Sequence, residues 1–181
     1  MSLKRRRAMG LALAIASVLA LSVAASAFQG GRLEFKLRSA DGGEITSEML
    51  KGDVVVLGFG STSLGSLAKT QMQQLQELAE QPTNEDVRVY WVSIDSDSPK
   101  SKNYATDEQL RAFARKAGLK AAVLRDPDGA LFKRTGADQL PAIVILDRSV
   151  EISGAPIAGF DPNRKLVDVL ADRLNKLLAA K

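Results

Sequence analysis

Residues 32–38 (RLEFKLR) alternate apolar and charged side chains, the period of a strand with one buried face. The turn SADGGEI follows, with Asp41, Gly42 and Gly43 giving the backbone freedom, and residues 47–52 suit a short helical turn. Val54, Val55, Val56 and Leu57 then break the alternation. A continuous β-branched run of this kind predicts a central strand covered on both faces. Over residues 66–81, Ala68, Met72, Leu75 and Ala79 recur at helical spacing, and Pro82 marks the stop. Residues 87–94 (VRVYWVSI) form the next strand, with Trp91 in the core. Leu110, Phe113, Ala114 and Ala117 stripe a second helix, with Thr106 as N-cap, Gln109 completing a capping box and Gly118 ending it.

Further on, residues 121–124 suit a short strand, Asp126-Pro127-Asp128-Gly129 a turn, and residues 131–135 a helical turn. Residues 142–146 (AIVIL) and 150–153 read as a hairpin joined at residues 147–149. Asp161-Pro162 opens a last helix with Leu166, Leu170, Leu174 and Leu177 on one side. Strands interleaved with helices predict an α/β sandwich around a mixed sheet.

The N-terminus follows a different pattern. Lys4, Arg5, Arg6 and Arg7 precede an apolar stretch over residues 8–23, and Ala25-Ser26-Ala27 supplies the small residues of a cleavage site. This is the layout of a secretory signal, so residues 1–27 are expected to be a signal peptide cleaved after Ala27 and residues 28–181 a single domain in the periplasm or outside the cell. An uncleaved anchor is the alternative, but the stretch is short for a membrane span. Cleavage would take four of the 25 basic residues and none of the 21 acidic ones, turning a net charge of +4 into a balance of 21 against 21. The basic character therefore belongs to the targeting segment, and neither nucleic acid nor an anionic membrane is an expected partner.

The chain of 181 residues contains no cysteine and no histidine. The first absence removes disulfides and thiol catalysis, since the thiolate is the nucleophile in that chemistry. The second removes the usual general base near neutral pH and the commonest metal ligand, so Ser-His-Asp hydrolysis and zinc sites of the usual kinds are ruled out. No cofactor or metal is expected. Asp95-Ser96-Asp97 and Asp126-Pro127-Asp128-Gly129 lack the oxygen ligands at regular spacing that a calcium loop needs.

In order along the chain stand an N-terminal strand, VVVLGF running into a helix, VYWVSID with a polar loop, and DPDGALFKRTGADQLPAIVILDR. This succession resembles the thioredoxin-like superfamily, most closely its redoxin or TlpA-type branch. The FGST stretch (residues 59–62) is also similar to Sco-type copper-handling proteins, though the rest fits the TlpA type better. The resemblance implies a three-layer α/β/α sandwich around a central mixed sheet, and it maps the family's cis-proline onto Pro141. It also implies a Cys-x-x-Cys motif at the start of the first long helix. The matching positions here are Leu64, Gly65, Ser66 and Leu67, so the dithiol chemistry of the family is excluded.

Three readings of that junction are open. An exported, non-catalytic relative would bind a peptide or protein of the periplasm or envelope through Ser63, Leu64, Gly65, Ser66, Leu67, Leu140 and Pro141. An enzyme would use Ser63 or Ser66 with a small thiol such as glutathione, although the expected role of these serines is to cap the helix. A structural domain would contact its partner elsewhere. The two leucines form either a contact surface or core filler.

Overall fold

The computed structural model describes residues 31–82, 86–159, 161 and 163–180. The signal segment, Pro162 and Lys181 lie outside them. Among the described residues no helix is long and apolar enough to cross a membrane.

The strands are β1 (Lys36–Ser39), β2 (Glu44–Thr46), β3 (Val54–Gly60), β4 (Val87–Ser93), β5 (Val123–Arg125), β6 (Ala142–Leu146) and β7 (Ile157–Ala158). The helices are α1 (Ser66–Ala79), α2 (Asp107–Lys116), α3 (Ala130–Arg134) and α4 (Leu166–Ala179). The strands make one sheet in the order β2-β1-β5-β4-β3-β6-β7. β3, β4 and β5 run parallel, linked by α1 and α2, while β6 and β1 join antiparallel on either side.

β3 is buried at all seven residues, as its unbroken apolar run predicts. Its side chains sort by parity. Val54 and Val56 enter a cluster with α1, α2 and α4, whereas Val55, Leu57 and Phe59 enter a second cluster with Leu33, Leu50, Leu131 and Val150. The three layers are therefore unequal, with three helices on one face and the short α3, a 3-10 turn at Ser47–Leu50 and loops on the other.

Several local expectations shift. The first strand pairs regularly only from Lys36, with Arg32 bridging Glu151 alone. The GGEI turn is the tip of a hairpin whose second arm is β2. Residues 151 and 152 make only isolated bridges, and β6 takes β7 as its outer partner. On α1 the buried position is Leu78 and Ala79 is exposed, which keeps Ala68, Leu75 and Leu78 on one stripe. Asp161 does not cap α4. That helix starts at Leu166, whose N–H donates to the buried Gln74 Oε1 on α1 at 2.7 Å. In α2 the Thr106–Gln109 capping box is present, and Gly118 leaves the helix at φ +80°.

Candidate functional site

The site lies where β3 ends and α1 begins. Gly58 and Gly60 fall on the β3 face that meets α1. A Cβ at Gly58 would collide with Leu75, and one at Gly60 would stand 2.9 Å from the Trp91 indole. The two glycines let α1 and the indole settle against the strand. Gln71 uses the space: its Nε2 donates to the carbonyls of Phe59 (3.3 Å) and Ala142 (3.1 Å), and its Oε1 accepts from Trp91 Nε1 (3.0 Å). This amide is fully buried, and all of its donor and acceptor groups are engaged.

Beyond Gly60 the chain turns through a 3-10 turn, Thr62–Leu64, and then through Gly65 at φ 60°, ψ −117°, into α1. The capping differs from expectation. Ser61 caps the 3-10 turn by accepting from the Ser63 N–H, and α1 has Gly65 at its N-cap with no side-chain cap. Gly65 holds a backbone conformation that L-residues avoid, so Ser66 falls within the first helical turn with its side chain exposed. Ser63 is exposed too. Leu64, Gly65 and Leu67 are half-buried, Leu64 against the cluster shared by α1, α2 and α4.

Across the ladder, Pro141 is buried and Leu140 is half-buried against the opposite cluster. The Leu140–Pro141 peptide bond is cis. Phe59 pairs with Ala142, so Gly60 and Pro141 are the first residues past the end of the β3–β6 ladder. The Gly159 N–H donates to the Pro141 carbonyl on the β7 side. Leu140 lies beyond the end of the β3–β6 ladder, where β3 has already turned away. Among the described residues, neither the N–H nor the C=O of Leu140 has a hydrogen-bond partner.

Like Gln71, Asp95 was not assigned to this site from the sequence, where it was weighed only as a calcium ligand. Asp95, just past β4, is completely buried and turns its carboxylate under the 61–63 loop. It accepts from Ser61 Oγ (2.7 Å), from Thr62 Oγ1 (2.9 Å), from the Thr62 N–H (2.9 and 3.2 Å) and from Ser93 Oγ (2.7 Å). Ser61 Oγ also lies 2.7 Å from Ser63 Oγ. The signal was legible in principle, as an acid directly after a buried strand and two hydroxyl-rich segments. The other acidic turn is turned inward as well: Asp126 is buried and accepts from the N–H groups of Leu131 and Phe132, which fixes the start of α3.

Arg125, 3% exposed, ties this region to α2. It donates to the Asp95 carbonyl (3.1 Å) and pairs with Asp107 (2.7 Å), which also pairs with Arg38. Burial pushes the Asp107 carboxyl upward, but hydrogen bonds from Arg38 and Arg125 outweigh it and hold the group below its ordinary range.

Chemically, the junction offers two exposed serines, two half-buried leucines and, among the described residues, the unpaired backbone of Leu140. The Asp95 carboxylate is already occupied by four donor groups and reaches Ser63 only through the Ser61 hydroxyl.

A parallel βαβ core flanked by an antiparallel strand, with a cis-proline opposite the first long helix, defines a thioredoxin-like fold. The AhpC/TSA family model matches residues 32–154, and the chain belongs to that family. Among solved structures, the chain is similar to a Chlorobium tepidum protein assigned as a DsbE-type thiol:disulfide interchange protein, at TM-score 0.67 and 19% identity, over 82% of this chain and 96% of that one. It is also similar to the pneumococcal exposed lipoprotein thioredoxin Etrx1 of Streptococcus pneumoniae, at TM-score 0.62 and 24% identity, over 80% and 99%. A secreted Mycobacterium tuberculosis disulfide oxidoreductase homologous to E. coli DsbE matches at TM-score 0.54 and 21% identity, over 83% and 98%. No curated protein sequence matches the chain. The fold is thus that of thiol:disulfide oxidoreductases, without their cysteines.

Proposed function

We propose that this chain is an exported, non-catalytic member of its family that binds an extended segment of a peptide or envelope protein. The observation that carries the reading is the open backbone of Leu140 beside the point where β3 turns away, since an incoming strand can supply the missing partners. Leu64 and Leu67, half-buried at the start of α1, offer apolar contact to its side chains. Export is supported by the basic and apolar N-terminal segment with its Ala-Ser-Ala site, and by the secreted and surface-exposed proteins among the similar structures.

The test is crosslinking in the native envelope, with a photo-reactive residue at Ser66 and a control at exposed Lys176 on α4. A partner trapped from Ser66 alone, and lost on Leu64→Asp, supports the reading. Trapping of the same proteins from both positions, or from neither, sinks it.

A further inference from the structure

The hydroxyl chain beneath Ser63 has a direction. Ser61 Oγ carries one proton and lies 2.7 Å from Asp95 Oδ1. The carboxylate also receives the Thr62 N–H, the Thr62 hydroxyl and the Ser93 hydroxyl, and as an acceptor it returns none of these protons. The proton of Ser61 is therefore committed to Asp95. The 2.7 Å contact between the Ser61 and Ser63 hydroxyls is then made by Ser63 donating. Ser63 is an exposed residue, and with its proton held inward its oxygen has only lone pairs to offer a ligand. Aligned donors ending on a buried carboxylate polarise one another, which makes the outer oxygen a better acceptor.

We propose that Ser63 is a specificity residue of the peptide-binding face, fixed as a hydrogen-bond acceptor by Asp95 acting through Ser61. The ligand this selects is a peptide carrying an N–H donor side chain, namely lysine, arginine, asparagine or glutamine, opposite Ser63. A carboxylate at that position would meet a lone pair and no proton, and it would lose its water without replacement. Ser61 and Asp95 are positioning residues, acting only through the Ser63 hydroxyl. The inference rests on the peptide-binding reading above and adds the polarity of the ligand to it.

The experiment is selection of random displayed peptides on the whole immobilised chain, run in parallel on Leu64→Asp, Ser63→Ala and Ser61→Ala. The expected result is a donor side chain at one fixed place in the selected peptides, with exchange for glutamate weakening binding about tenfold. Ser63→Ala should keep the peptides and lose the preference. Ser61→Ala should release the Ser63 proton, so that aspartate and glutamate become acceptable at the same place. A merely loosened fold would not produce that change of preference. Peptides captured in a Leu64-dependent way but with no donor preference, or with one that Ser63→Ala and Ser61→Ala leave unchanged, overturn this inference alone. Capture of no peptide by any form overturns the binding reading and this inference together.

Discussion

The two ends of the sheet are built on different terms. At the end where β3 starts and β6 finishes, exposed charges and tight turns close the structure. Arg148 donates to the Gly52 carbonyl and pairs with Asp86, Arg88 pairs with Asp53, and Asp147 Oδ1 receives the N–H groups of Ser149 and Glu151. Such exposed pairs contribute about 0–1 kcal/mol each. At the other end, the interior itself is polar: Gln71, Ser93 and Asp95 are each fully buried and hydrogen-bonded. There the backbone of Leu140 also stays open among the described residues. The closed end can lose any one contact at small cost. The site end depends on every member of its network, and this interdependence holds the 61–63 loop in one shape without a disulfide.

Breaking that network should give the largest effect. Asp95→Ala strands the Ser61, Thr62 and Ser93 donors beneath the loop and should cost about 4 kcal/mol, whereas Asp147→Ala at the closed end should cost about 1 kcal/mol. Urea denaturation of both variants measures the contrast, and equal losses would erase the distinction between the ends. Next in size is the close approach at Gly60. Gly60→Ala forces a Cβ against the indole of Trp91, at about 2–3 kcal/mol. Gly52→Ala, at φ +92° with nothing within 4 Å, meets only backbone strain of about 1 kcal/mol. Thermal melts of the pair should rank in that order.

Legibility in the sequence follows the same divide. The central strand, α1, β4 and the capped α2 announced themselves because burial on a regular period leaves its mark on every residue of the element. β2 and β7 did not, since three-residue and two-residue strands are too short to show a period and owe their pairing to the neighbouring strand. At the site, the match of Leu64 and Leu67 to the family's cysteine positions came from the resemblance alone. The supporting shell was not. Gln71 falls on the apolar stripe of α1 between Ala68 and Leu75, and a polar residue there marks a buried partner that only the fold supplies. Asp95 likewise sits in a stretch that reads as loop, and only the return of Ser61 and Thr62 to the same place gives its carboxylate a purpose. The serine cap failed for a backbone reason. Gly65, at positive φ, takes the N-cap position itself, two residues past Ser63 and one before Ser66.

The closed end has one feature of its own. Val150 adopts φ 63° while its side chain is wholly buried, a conformation that β-branched residues rarely hold. Its N–H donates to Asp147 and its carbonyl receives the Leu33 N–H, so the turn and the N-terminal segment hold it there. Val150→Gly relieves strain of about 1–2 kcal/mol but forfeits a buried side chain worth about 2 kcal/mol and adds freedom to the unfolded chain. The net loss should be about 1 kcal/mol by urea denaturation. A loss above about 3 kcal/mol would show that this end, too, depends on single residues.

The smallest contrast lies in two carboxylates. The Glu48 carboxyl is held low mainly by its hydrogen bond from Lys51, at an exposed position beside Arg32. Asp107 is held low despite burial, through Arg38 and the buried Arg125. A carboxyl whose folded pKa lies below its unfolded value adds stability that is present above about pH 4 and disappears as pH falls through the folded value. Salt screens the exposed group far more than the partly buried one. Stability measured from neutral pH downward should therefore show Asp107→Asn less stable than the parent above about pH 5, with the gap narrowing below about pH 4 and persisting in high salt. Glu48→Gln should show a smaller gap that high salt removes. If both gaps vanish in salt, Arg125 is no anchor for α2. The polar interior of the site end would then stop at Asp95 rather than reaching Asp107.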